Sequence, residues 1–275
     1  MVKTKRIAGF LGLPYIFWAA AFIVIPLIMV VWYGLTDENG GFTFANVAAI
    51  ANPAHSKALF MALLLSFIAT IVCLLLAYPL CMFLVEAQKT SNSFLTMLLI
   101  VPMWMNFLLR TYAWQSILEK TGIINTFLTS IGLQPLRLIN TNGAIILGMV
   151  YNFLPFMILP IYNALDDIDK NVINAARDLG ASSRQTLTKV IFPLSLPGVI
   201  SGITMVFIPA LTTFVVSSLL GGGKILLIGN VIEQEFMVAY DWNLGSGLSL
   251  VLLIFIVINV IVSVLTERSE EDYAS

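Results

Sequence analysis

In 275 residues, 59% of side chains are hydrophobic and only 11% charged, whereas soluble domains carry roughly 25% charged residues. Such a chain cannot dress its surface for water, which excludes an ordinary soluble domain and points to an integral membrane protein. The net charge of −1 identifies no class of partner, and no nucleic-acid partner is expected.

The N-terminus, MVKTKRIAGFLGLPYIFWAA, has a basic start and an apolar run that continues to about Trp32. That run is long enough to span, and no small-residue cleavage pattern follows it, so a retained signal-anchor is expected. A helix needs about 20 mainly apolar residues to cross the hydrocarbon core. Six stretches qualify, roughly 9–33, 58–84, 93–114, 142–164, 197–220 and 246–266. Pro26, Pro79, Pro102, Pro155, Pro160 and Pro209 lie in them, and membrane helices tolerate such prolines where neighbours satisfy the freed carbonyls. Cys73 and Cys81 share the second stretch. Eight residues of helix hold them about 12 Å apart, beyond disulfide reach, so inert buried thiols are expected and no metal site.

Lys and Arg decide orientation. Lys3, Lys5, Arg6, Lys89, Lys170, Arg177, Arg184, Lys189 and Arg268 fall on the N-terminal side; Lys57, Lys120, Arg137 and Lys224 fall opposite. Nine against four predicts cytoplasmic N- and C-termini. Residues 115–141 are too apolar for a plain loop and too interrupted to cross, so a short helix at the outer surface is expected there. The tail SEEDYAS reads as acidic and exposed.

One polar insert, Asp166–Ser195, interrupts the greasy pattern. Asp169 is a good N-cap for a first short helix ending at Leu179, with Val172, Ala176 and Leu179 on one face. Gly180 suits the left-handed position after it. Ser182 with Gln185 makes a capping box for a second helix whose apolar face is Leu187, Val190 and Ile191. Pro193 and Pro197 are expected to break that helix before the fifth span. Helices this short are marginal alone, so something must pack on them. The insert thus reads as a cytoplasmic knob for a partner or as an ordinary loop with two interfacial helices.

The run Asn174-Ala175-Ala176, then Gly180, then Val190, Phe192 and Pro193 resembles the cytoplasmic motif of type I ABC importer permeases, Glu-Ala-Ala, three residues, Gly, nine residues, Ile, one residue, Leu-Pro. The spacing matches throughout, with Asn174 in place of Glu and Val and Phe in place of Ile and Leu. Two further stretches, LLIVPMWMNFLLRTYAW at 98–114 and SSLLGGGKILLIGNVIEQEF at 217–236, resemble the spermidine/putrescine branch of that family. Ser218 stands where some relatives carry Asp, which removes one cation-binding carboxylate.

The resemblance implies an all-α membrane fold of six transmembrane helices with a cytoplasmic coupling-helix insert. It divides the chain into a signal-anchor and outer loop (1–56), a transmembrane domain (57–265) with the coupling motif at 166–196, and an acidic cytoplasmic tail (266–275). It implies a non-catalytic permease subunit in the bacterial inner membrane, in contact with membrane lipid, whose partners are a second homologous permease, an ABC ATPase homodimer and an extracytoplasmic polyamine-binding protein. ATP and Mg²⁺ would belong to the ATPase and no cofactor to this chain. Asn174, Ala175, Ala176, Arg177, Asp178, Gly180 and Pro193 would couple it to the ATPase.

For a cationic cargo, Trp104, Tyr112, Trp114 and Tyr151 offer ring faces, and Asn106, Asn152, Thr213 and Ser217 offer polar groups in or near spans. Thr213 and Ser217, four residues apart, are expected to line one groove. Glu233, Glu235 and Asp241 form an acidic outer stretch that attracts polycations. The path is therefore assigned to Trp104, Asn106, Tyr112, Tyr151, Thr213, Ser217 and Glu233. Each has a plainer reading, as interfacial belt or backbone-bonded hydroxyl, and Arg110 repels cations unless paired. Other small solutes (thiamine, sulfate, iron) stay open as cargo. A secondary transporter lacks support, since buried ionisable groups and inverted repeats are missing. A membrane prenyltransferase needs two acidic clusters, and Asp166, Asp167 and Asp169 supply one. No Walker A pattern is present, so ATP is not bound here.

Overall fold

The computed structural model describes residues 14–88 and 101–274, without side-chain detail for Ala87, Gln88, Pro102 and 266–274. Lys3, Lys5, Arg6, Lys89, the start of the expected third span, and the side chains of Arg268 and the tail therefore lie outside the described residues. Among those residues the chain is helical apart from turns and one isolated bridge, Thr36 to Phe42. Apart from short helical turns at Ala45–Ala48, Ala49–Ala51, Val101–Trp104 and Glu235–Ala239, the helices in order are α1 (Pro14–Gly34), α2 (Pro53–Gln88), α3 (Phe107–Leu118), α4 (Ile123–Ser130), α5 (Asn142–Asp166), α6 (Lys170–Asp178), α7 (Ser183–Thr212), α8 (Val215–Leu220), α9 (Ile228–Gln234) and α10 (Trp242–Ala274).

Five of these, α1, α2, α5, α7 and the Trp242–Leu265 part of α10, are long and apolar enough to cross a membrane. The expected third span differs within its described part. Val101–Trp104 is a 3₁₀ turn, and α3 starts afresh at its cap, Asn106. The Asn106 side chain accepts from the amides of Leu108 and Leu109, at 2.8 and 3.3 Å, which favours starting a helix there over running one through. The expected fifth span also breaks. α7 stops at Thr212, Thr213 is extended (ψ 136°), and α8 is a separate short helix.

The break expected at Pro193 and Pro197 does not occur. The chain stays helical from Ser183 to Thr212, with a π-turn at Leu187–Ile191 immediately before Pro193. Proline removes a donor and crowds the carbonyl four residues back. In the π-turn the Phe192 amide bonds Leu187 O instead, and this local widening lets the proline ring enter without ending the helix.

The chain divides into two compact units, one of Met1–Ser56 with Val231–Phe255, the other of Lys57–Asn230 with Ile256–Ser275. In the second unit the core is the α5–α7 pair. Ile145, Met149, Met157, Ile161 and Val206 are wholly buried there. A Cβ on Gly198 would sit 2.5 Å from both Ala164 Cβ and Pro160 O, so glycine sets how closely α7 meets α5. Apolar helices in lipid gain nothing from burying leucine alone, and close small-residue packing supplies the attraction. Cys73 and Cys81 are free and buried, with Cys81 Sγ 3.4 Å from Ile158 O. In the first unit, Asn243 Nδ2 donates to Thr36 O (2.6 Å) and Tyr33 O (3.1 Å), and Asn46 Nδ2 donates to Thr36 O (2.9 Å). Two side-chain amides thus satisfy the carbonyls freed where α1 ends. Most of α1 is exposed, as an apolar helix can be where lipid or another subunit covers it.

Candidate functional site: the α6–α7 knob and the polar residues of the spans

The insert folds as two capped helices. Asp169 caps α6 by accepting from the Asn171 amide at 2.8 Å. At the far end the Gly180 amide donates to Arg177 O (2.9 Å) and the Ala181 amide to Ala176 O (3.0 Å), with Gly180 at φ +83°. This is a Schellman motif. It turns the chain sharply into α7, where Ser182 and Gln185 close the capping box, the Gln185 amide donating to Ser182 Oγ and the Ser182 amide to Gln185 Oε1. Leu187, Val190 and Ile191 are half-buried, as their helical spacing predicts.

Val172, Ala176 and Leu179 share one face of α6, and the structure shows which way each face turns. Lys170, Ile173, Asn174 and Arg177 share a side that lines a cavity of about 260 Å³ with Met82, Val85 and Glu86 of α2. Val172, Ala175 and Leu179 are turned out, Leu179 at 89% exposure. Val172 and Leu179 thus belong to an outer apolar face, with only Ala176 on its edge half-buried. Asn174 and Arg177 line a cavity of the chain's own, while Asp178, Gly180 and Pro193 are exposed.

The polar residues of the spans separate into structural and uncommitted groups. Ser217 is fully buried and donates to Phe214 O at 2.9 Å and to Asn230 Oδ1. Asn230 also accepts from the Leu227 amide (3.0 Å) and donates to Phe214 O (3.0 Å) and Ser218 Oγ (2.8 Å). Ser217 is therefore spent on tying the α7–α8 break to the start of α9, and it does not share a helical groove with Thr213, which caps α7 in extended conformation. Asn230 is the organising residue that sequence reasoning missed; its place in the IGN triplet was the available signal. Asn106 is likewise occupied as a cap. Asn152 is buried and donates to Gly148 O (2.9 Å) and Thr111 Oγ1 (3.4 Å).

Trp104 is 87% exposed and Tyr112 51%, so both present rings outward. Tyr151 packs edge-on to Trp114 with centroids 5.4 Å apart. Glu233 is half-buried and falls in the other unit. Arg110 is buried, and its Nε and Nη1 have no hydrogen-bond partner; Asn152 Oδ1 also has none. Asp169 is spent on capping and His55 Nδ1 lies 2.8 Å from Ala49 O.

A long apolar helical core carrying a capped, outward-facing helix pair defines a permease-type membrane subunit. The family model for the binding-protein-dependent transport system inner membrane component matches residues 10–274, and the chain belongs to that family. It is 38% identical over 253 residues to the spermidine/putrescine transport system permease protein PotB of Haemophilus influenzae, covering 89% of this chain and 88% of that one. Against PotB of Escherichia coli K12 it is 39% identical over 245 residues, covering 86% and 89%. Among solved structures, a chain of the bacterial alginate ABC transporter in complex with alginate pentasaccharide-bound periplasmic protein shares the fold at TM-score 0.77 and 14% identity, covering 95% of this chain and 94% of that one. The MetNI methionine ABC transporter, in an inward-facing form, shares it at TM-score 0.59 and 18% identity, covering 80% and 99%.

Proposed function

We propose that this chain is the membrane-spanning permease subunit of an ATP-driven importer of spermidine and putrescine. It would form the path with a second permease, coupled to an ABC ATPase dimer and supplied by an extracytoplasmic polyamine-binding protein. ATP and Mg²⁺ are held by the ATPase, and this chain does no chemistry. The cargo reading rests on 38% identity along nearly the whole length of the Haemophilus influenzae permease.

The coupling reading rests on one observation, the exposed apolar face of Val172, Ala175 and Leu179 on a helix fixed at both ends by caps. An exposed apolar face on a short helix suits docking into a hydrophobic groove. Because α7 continues from the knob to Thr212 without a break, a displacement of α6 by the ATPase reaches the core of the spans through α7. ATP binding favours one access state of the path and hydrolysis the other. The excess of Lys and Arg on the N-terminal side supports cytoplasmic termini and a cytoplasmic knob.

The test is uptake in proteoliposomes holding both permeases, the ATPase and the binding protein, with labelled spermidine, putrescine and sulfate compared. ATP-dependent accumulation of the polyamines alone is expected; accumulation of sulfate alone would sink the cargo assignment. Orientation is read by thiol labelling of single cysteines placed at Ser183, with Cys73 and Cys81 replaced. Labelling from outside the cell would reverse the topology.

A further inference from the structure

A cavity of about 590 Å³ opens in the unit of Met1–Ser56 and Val231–Phe255. It contains none of the residues assigned above to the path. Met29, Tyr33 and Glu38 line it from α1 and the loop that follows, and Tyr240, Asp241 and Trp242 from the start of α10. The two segments are far apart in sequence but are tied together beside the cavity by the Asn243 amide, which donates to Tyr33 O and Thr36 O. The cavity is thus built into the junction of two helices.

Its lining is chemically one-sided. It carries two carboxylates and three aromatic rings, and none of the described lining residues is basic. The Trp242 indole is held edge-on by Phe236 at 5.5 Å and lies 6.4 Å from the Tyr33 ring. Asp241 Oδ1 accepts from the Leu244 amide at 2.8 Å, which orients the carboxylate at the start of α10. Tyr240 has φ +56°, a conformation that side-chain-bearing residues seldom take and that recurs at ligand sites. The volume lies in the range of small-molecule pockets, about 300–1,000 Å³.

Carboxylates and the faces of Trp and Tyr are the groups that hold ammonium ions, the first by charge and the second by the ring quadrupole. Methylene chains between ammonium groups pack on rings and on a methionine thioether. The geometry points to this cavity as a binding site for a flexible alkyl di- or triammonium ion, separate from the path residues. Its role rests on the polyamine reading: with the termini cytoplasmic, the cavity lies on the outer face, where it collects the cargo and raises its local concentration. Of the acidic outer stretch only Asp241 takes part; Glu233 and Glu235 do not line the cavity, and Glu38 replaces them.

The test uses the assembled permease–ATPase complex in nanodiscs of zwitterionic lipid, without the binding protein, and equilibrium binding of radiolabelled spermidine. Glu38→Gln with Asp241→Asn removes both charges while Asn keeps the helix cap. The double variant should raise Kd by about tenfold or more, which corresponds to about 1.4 kcal/mol. Glu38→Gln alone, on an exposed loop, should raise it several-fold, which guards against a folding defect in the double variant. Glu119→Gln, an exposed carboxylate that lines neither the cavity nor the path, should leave Kd unchanged. No saturable binding by the wild type, or equal Kd in wild type and double variant, overturns the inference. In a parallel pull-down with the binding protein added, a double variant that loses docking while its spermidine Kd is unchanged also overturns the inference, because the carboxylates would then be receiving a lysine of that protein. If uptake of polyamines fails while spermidine binding depends on Glu38 and Asp241, the cargo reading falls and this site stands. If uptake succeeds while binding ignores both carboxylates, the site falls alone.

Discussion

Replacing Gly180 by valine separates backbone geometry from packing at the knob. A Cβ built on Gly180 meets nothing within 4 Å, so a side chain beginning there has open space around its first carbon. Its whole effect comes from φ +83°. An L-residue in that region costs about 1–2 kcal/mol, and β-branching adds to it. That energy lowers the population of the intact turn by about 5- to 30-fold relative to alternatives. The turn is what holds the two bonds from Gly180 and Ala181 back to α6, and with them the angle between α6 and α7. ATP-dependent uptake in proteoliposomes is therefore expected to fall by about tenfold, with membrane insertion and thermal unfolding of the spans unchanged. Gly180→Asn should transport close to the wild-type rate, since Asn adopts the left-handed region more readily. Wild-type uptake by Gly180→Val would refute the argument that this turn geometry transmits force. Equal failure of Val and Asn would refute the argument that φ alone matters.

Two further outcomes are expected. Leu179→Asp leaves stability unchanged because the side chain is 89% exposed, but it should cut co-purification of the ATPase at least about tenfold, because a carboxylate entering an apolar groove is costly; equal recovery would remove Leu179 from the docking face. Asn230→Ala removes the only hydrogen bonds described for the Leu227 amide and Ser218 Oγ and one each from Ser217 Oγ and Phe214 O, which keep their bond to each other, and should destabilise the permease by about 1–3 kcal/mol per buried group left unpaired. Asn230→Asp should not rescue it, since it puts a carboxylate without a cationic partner among the described contacts of a buried site, and a wild-type melting temperature in either variant would contradict the network's structural role.

Local signals in the sequence were enough to define the knob. Asp169, Gly180, Ser182 and Gln185 act on backbone groups within five residues of themselves, so their roles are set by short-range sterics and hydrogen bonding. The second, fourth and sixth apolar stretches were equally legible, because length and composition alone decide whether a helix can cross lipid. Pro193 misled the reading because a π-turn, formed by shifting one bond from Phe192 back to Leu187, absorbs the ring. Thr213 and Ser217 misled it because helical spacing holds only where the helix continues, and it stops at Thr212.

What sequence determined by itself is that this chain lives in lipid, and that a capped polar hairpin of helices interrupts its spans. Both follow from interactions local in the chain. Which face of α6 is left outward, that Asn230 ties Ser217 and Ser218 to the loop before α9, and that Glu38 meets Asp241 and Trp242 around one cavity were decided only by tertiary structure. Those juxtapositions join segments distant in the chain, and their energy comes from packing and buried hydrogen bonds that exist only once the helices have met.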